Sequence, residues 1–289
     1  MASSCEVRLA GEHTDAAALM AAAQAEVLRI EAKYSRYRAS SLLSRINAAA
    51  GSAAPVAIDT ETADLLGFAA QLHVLSGGLF DITSGVLRRA WDFSAARVPH
   101  ADELHALLPL IGWGRVEWTR DEVHLPRAGM ELDFGGFGKE YAADRAHAVL
   151  VAGGARSGFV NLGGDIRVIG PQPDGAPWQF GIQSPRVADA TPAGIALGHG
   201  ALATSGDYER FFEHAGTRYC HILDPRSGWP AQGWQSVSVL APACLAAGAL
   251  SAIAMLHGND AVAFLREQSV GYLAIDAHGA IHRHDAPPP

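Results

Sequence analysis

Lysine is nearly missing from this chain: Lys33 and Lys139 are the only two in 289 residues. Basic residues number 22 against 30 acidic ones, a formal net charge of −8. That balance excludes nucleic acid as the main partner, because binding a phosphate backbone needs a basic face. A local cationic site for a small phosphate ligand is compatible with it. Cysteine is scarce as well. Cys5, Cys220 and Cys244 are an odd number at wide spacing, without a CxxC pair or a His/Cys cluster. This excludes a disulfide framework and a zinc module, and leaves buried free thiols as the expectation. The late His282-Arg-His284 reads as exposed tail, and no metal ligands are assigned.

Several catalytic signatures are also missing. Neither a GxSxG elbow nor an HExxH helix occurs. The glycine-rich stretch before Lys139 is not a Walker A loop: Asp133 stands where the first glycine belongs, and Glu140 follows the lysine in place of Ser or Thr. The N-terminus has no charged start followed by an apolar run, so the sequence as written reads as cytoplasmic; removal of a leader would make it periplasmic or membrane-anchored. Ser236 to His257, inside the longest uncharged run, is divided by Pro242 into an alternating strand-like half and an Ala-rich half. A strand followed by a core helix is expected there, not a transmembrane segment.

What is present is a globular composition, 49% hydrophobic and 18% charged, long enough to bury roughly 75% of the unfolded surface. Cys5–Ala10 reads as a strand. Thr14 is placed to cap a helix whose apolar positions Leu19, Ala23, Val27, Ile30 and Tyr34 recur at helical spacing. A polar segment with Ser40, Ser41 and Ser44 follows, then a helix over Thr60–Ser76, a hairpin of Val116–Trp118 with Val123–Leu125, and a helix over Phe137–Ala152. Strands are expected at Gly158–Leu162, Ile166–Ile169, Trp178–Ile182, Gly194–Leu197 and Arg218–Leu223. A helix near Asp260–Gln268 and a hairpin over Tyr272–His282 close the chain. Helices in blocks and strands in runs predict an α+β fold with a largely antiparallel sheet and packed helices. No boundary divides the chain, so residues 1–285 are read as one domain, with room for two lobes, and 286–289 as a frayed Pro-rich tail.

Four polar, glycine-rich clusters carry candidate chemistry. Ser76-Gly-Gly-Leu-Phe-Asp-Ile-Thr-Ser-Gly85 offers close backbone approach with Asp81 and Thr83, or is a helix C-cap and turn. Around Glu131–Asp144, a strand ending at Asp133 and a helix opening near Lys139 make either a phosphate site or a structural turn. Asn161-Leu-Gly-Gly-Asp165 reads by default as a tight hairpin. Ala203-Thr-Ser-Gly-Asp-Tyr-Glu-Arg210 and Arg218–Gly228 bring a hydroxyl pair near His221, Asp224 and Arg226 in sequence. There His221 is a candidate general base, or a strand histidine before an Asp-Pro turn.

In this order the clusters resemble the ApbE family, the FAD:protein FMN transferases. Met1-Ala-Ser3 stands at its Met-Gly-Thr opening, and Tyr34-Ser-Arg-Tyr37 and Ser41-Leu-Leu-Ser-Arg-Ile-Asn47 at its next two motifs. Gly78-Leu-Phe-Asp-Ile-Thr83, Asp133–Asp144, Asn161–Asp165, Ala203–Tyr208 and His221-Ile-Leu-Asp-Pro225 continue the series. The resemblance implies an ApbE-like (T-fold-like) single domain. It further implies transfer of FMN from FAD to a Thr or Ser hydroxyl of an acceptor flavoprotein, with release of AMP. By the same resemblance Met1, Tyr37, Leu79, Phe80, Asp81, Asp133, Lys139 and His221 line the FAD site, with His221 the base and Lys139 the catalytic cation.

The chain departs from the family pattern at two places. Gly248 and Ala252 stand where the resemblance implies Asp and Thr as magnesium ligands, and Glu140 replaces the glycine that normally follows the motif lysine, where a carboxylate could crowd a phosphate or help to hold a metal. Two alternatives therefore stay open beside transfer: an FAD-binding protein without metal site or transfer, and an FAD pyrophosphatase.

Overall fold

Apolar residues on alternate positions, or on both faces, build a seven-stranded antiparallel sheet. The structure, a computed structural model, describes residues 4–12, 15–188 and 190–285. Met1, Thr14 and the tail at 286–289, three features of the sequence reading, lie outside the described residues. The chain forms two compact units. The first comprises Met1–Glu31, Gly135–Tyr208 and Gly233–Pro289, the second Ala32–Phe134 and Glu209–Gln232.

In the first unit seven strands lie in chain order: Cys5–Leu9, Gly158–Leu162, Asp165–Gly170, Ala201–Gly206, Trp234–Ala241, Gly271–Asp276 and Ile281–His284. Every neighbouring pair is antiparallel. The expected α+β class with a largely antiparallel sheet is what forms. Side chains alternate between faces along each strand. One face carries Phe159, Ile166, Val168, Leu202, Leu273 and Ile275, covered by the hairpin Trp178–Ile182 with Ala193–Leu197. The other face carries Asp165, Arg167 and Ser205, against the helices Gly138–Ala152 and Cys244–His257. The strand Trp234–Ala241 is buried on both faces, and the following helix is buried from Ala247 to Ser251 and again from Ile253 to Met255. That double burial is why Ser236–His257 carries no charge. The stretch Cys244–Glu267 is apolar enough by length and composition to cross a membrane, but its first helix ends at Gly258 and packs on the sheet.

The second unit combines helices with two small antiparallel sheets. The helix Thr60–Leu75 is capped by Asp59, whose carboxylate accepts from the Thr62 N–H at 3.0 Å. Elements here that were not expected include the helix Leu42–Ala48, the 3-10 helix Ile82–Arg89 and the helix Ala101–Leu107. The expected strand ending at Asp133 does not form. The Leu132 N–H and C=O are taken by the Asn47 side chain at 2.7 and 2.9 Å, and the Asp133 N–H by Ile82 O at 2.8 Å, so no ladder partner is needed. The expected strand Arg218–Leu223 shortens to Thr217–Cys220, paired with Phe211–His214. Of the cysteines, Cys220 and Cys244 are buried as expected, whereas Cys5 is exposed.

Candidate functional site

The helix Gly138–Ala152 opens without a side-chain cap on Phe137, so its first turn presents backbone N–H groups and the positive end of its dipole. Lys139 lies in that turn. Its ammonium is 2.6 Å from Asp165 Oδ2 and donates to Gly163 O at 3.3 Å, just beyond and within the glycine hairpin. Gly163 and Gly164, at φ 64° and 92°, make the tight turn that brings Asp165 back into the sheet. Burial works to lower the Lys139 pKa, but the carboxylates of Asp165 and Glu140 outweigh it and the ammonium is held above the usual lysine range. The charge of Lys139 is therefore fixed at neutral pH.

Glu140, beside it, is buried. Burial first and the Asp165 charge second push its carboxyl well above the usual range, against the pull of Lys139. Its Oε2 accepts no hydrogen bond; only when protonated would the carboxyl share its proton with Asp165. Asp144, one turn further along the same helix, accepts from the Cys244 and Leu245 N–H groups at 2.9 and 2.8 Å and pairs with Arg167 at 3.1 Å. It thus caps the helix Cys244–His257, whose own N-cap, Ala243, has no side-chain bond to offer. In that helix Ser251 donates to Gly248 O at 2.9 Å and meets Ser205 at 2.8 Å.

In the second unit the cluster at Ser76–Gly85 is a helix C-cap followed by a turn, with Gly77 and Gly78 at φ 60° and 86°. Leu79 and Phe80 are buried. Asp81 is a scaffold carboxylate: it accepts from Thr83 N–H at 2.8 Å, Thr83 Oγ1 at 2.6 Å and Trp113 N–H at 2.9 Å. His73 stands near it, its Nδ1 3.7 Å from Asp81 Oδ2. Asp133 is ion-paired with Arg36. It packs so closely on Gly85 that a Cβ there would sit 2.6 Å from its own. Tyr37 is exposed, and its hydroxyl accepts from Arg36 at 2.9 Å. Burial would raise the Tyr37 phenol, but hydrogen bonds from Arg36 and Arg210 prevail and lower it. His221 is an exposed residue directly after the strand Thr217–Cys220, its N–H on Arg210 O at 3.0 Å.

The sequence-predicted residues thus fall into local groups: Lys139 with Asp165, Tyr37 with Asp133 through Arg36, and Leu79–Asp81 on one turn. Thr204 and Ser205 lie on a strand of the first unit, bonded to Ser238 and Ser251 at 2.8 Å each. Asp224 is held by Arg226, at 2.8 Å from its Nη2. Sequence reasoning missed Arg36, Arg210 and His73. Arg36 lies inside the quoted Tyr34–Tyr37 segment, and the shortage of lysine is the signal that arginine carries the cationic work.

A family model described as "ApbE family" matches residues 1–275. The chain is 34% identical over 232 residues to the FAD:protein FMN transferase of Vibrio cholerae, covering 78% of this chain and 69% of the relative. It is 34% identical over 287 residues to that of Treponema pallidum, covering 91% and 78%. The crystal structure of an ApbE protein from Thermotoga maritima superposes with a TM-score of 0.91 at 33% identity, covering 98% of this chain and 94% of that one.

Proposed function

The chain belongs to the ApbE family, and from that premise we propose that it is an FAD:protein FMN transferase. FAD is the substrate and an acceptor flavoprotein the partner. A Thr or Ser hydroxyl of the acceptor attacks the FMN-side phosphorus, a new P–O bond forms, the anhydride P–O bond breaks and AMP leaves. The single observation that carries this reading is the family match over residues 1–275, which takes in every proposed site residue.

Each residue has a role that its chemistry supports. Lys139, kept charged by Asp165, would neutralise phosphate oxygens as the anhydride opens. His221, on an exposed turn, would take the proton from the acceptor hydroxyl. Asp133 and Tyr37, organised by Arg36, would orient the flavin donor. Leu79 and Phe80 would shape the wall that Asp81 holds in place, and Met1 belongs to the same set by its motif.

Two substitutions test the assignment. Asp133→Ala is expected to weaken FAD binding. His221→Ala is expected to lower the transfer rate by about 10²–10⁴-fold while FAD affinity changes far less. Wild-type binding and rate in both variants would remove the assignment. The products sort the other readings: free FMN with AMP marks a pyrophosphatase, and bound FAD without product marks a binding protein.

A further inference from the structure

Glu140 and Gly248 account for each other. A glycine inside a helix costs about 0.5–1 kcal/mol relative to alanine, so Gly248 in the middle of Cys244–His257 needs a reason. A Cβ at that position would stand 2.4 Å from Glu140 Cγ and 2.8 Å from Oε1. The Glu140 side chain, arriving from the neighbouring helix, fills the space a side chain at 248 would take.

What arrives there is a carboxylate only 8% exposed, with Oε2 fully buried and accepting no hydrogen bond. A buried carboxylate oxygen without a partner is costly. Lys139 answers Asp165 at 2.6 Å, so two carboxylates share one ammonium. Arg167, also on this face of the sheet, is engaged by Asp144 at 3.1 Å. A proton on Glu140 settles the balance, and a cation at the same oxygen would take that proton's place. Among the described residues no three His, Cys, Asp or Glu side chains form a cage of their own. Magnesium-class ions do not ask for one: they take one or two carboxylates and fill the remaining positions with phosphate oxygens and water. The oxygen donor present fits that class of ion.

We propose that Glu140 is the carboxylate through which this chain holds a divalent, magnesium-class cation, delivered across the bare backbone of Gly248 instead of from a side chain on the helix Cys244–His257. When bound, the cation supplies charge neutralisation at phosphate oxygens. The proposal rests on the FAD reading, since the FAD pyrophosphate would complete the coordination.

Manganese(II) titrated into the full chain, alone and with FAD, tests it, with free manganese read by electron paramagnetic resonance. Wild type is expected to take up the ion, and Glu140→Gln to lose affinity by roughly 10–100-fold or more. Glu140→Gly should lose it too, and the exchange Glu140→Gly with Gly248→Asp should recover it by returning the carboxylate to the other helix. Wild type that takes up no manganese in either arm overturns the proposal. So does Glu140→Gln binding as wild type, with its fold checked by thermal melting. FAD binding, followed by flavin fluorescence, keeps the two readings apart: FAD bound without manganese sinks the cation site alone, and manganese bound without FAD sinks the transferase reading.

Discussion

His147 shows how far one residue's surroundings reset its chemistry. Burial, with the Arg167 charge second, lowers its pKa from 6.5 to about 4. The folded chain therefore stays unprotonated at His147 where the unfolded chain takes up a proton. The stability drawn from it is complete above pH 6.5 and declines as pH falls towards 4. His147→Gln should flatten that acid limb, so that urea midpoints at about pH 7.5 and about pH 5 lie closer together than in wild type; an unchanged gap would contradict this. Residue chemistry of this kind was only partly legible in the sequence. Lys139 drew notice because lysine is so scarce, and Asp133 and His221 because they sit in ordered motifs. Glu140 read as a departure that either crowds a phosphate or helps to hold a metal, since its setting depends on Gly248, more than a hundred residues away and on another helix.

Among the elements, the helix Cys244–His257 depends most on a neighbour. Its start is capped by Asp144 from the helix Gly138–Ala152, through two bonds of 2.9 and 2.8 Å. Asp144→Ala should cost about 2 kcal/mol, from the lost cap and an unanswered Arg167. Asp144→Asn should cost about half of that, because one acceptor oxygen survives. Equilibrium unfolding of the two variants checks both values, and equal stability to wild type would refute the cap. Elements with a clear period were legible: Gly158–Leu162, Trp178–Ile182 and the helix Gly138–Ala152 form where the pattern put them. Ala201–Gly206 was not, because Ala-Thr-Ser-Gly has little strand propensity; it becomes a strand through pairing on both edges, with Asp165–Gly170 and Trp234–Ala241. The helix Leu42–Ala48 hid behind Ser40, Ser41 and Ser44, of which Ser41 proves to be its cap, accepting from Ser44 N–H at 2.9 Å.

At the scale of the whole molecule, an acidic chain of net charge −8 holds its cations in local groups. Lys139 is fixed by Asp165 in the first unit, and Arg36 and Arg210 stand beside Tyr37 in the second. The α+β class and the antiparallel sheet followed from the order of periodic segments. The division into two units did not, because each is assembled from separate stretches of chain and no linker composition marks a boundary. At this scale the reaction is transfer of FMN to a protein hydroxyl. Its most direct test is the intact mass of a flavin-acceptor domain after incubation with this protein, FAD and magnesium, beside a control without the protein. A gain equal to FMN minus water is expected on the acceptor. An unchanged acceptor mass, under conditions where a family member from another source flavinylates the same domain, would contradict it.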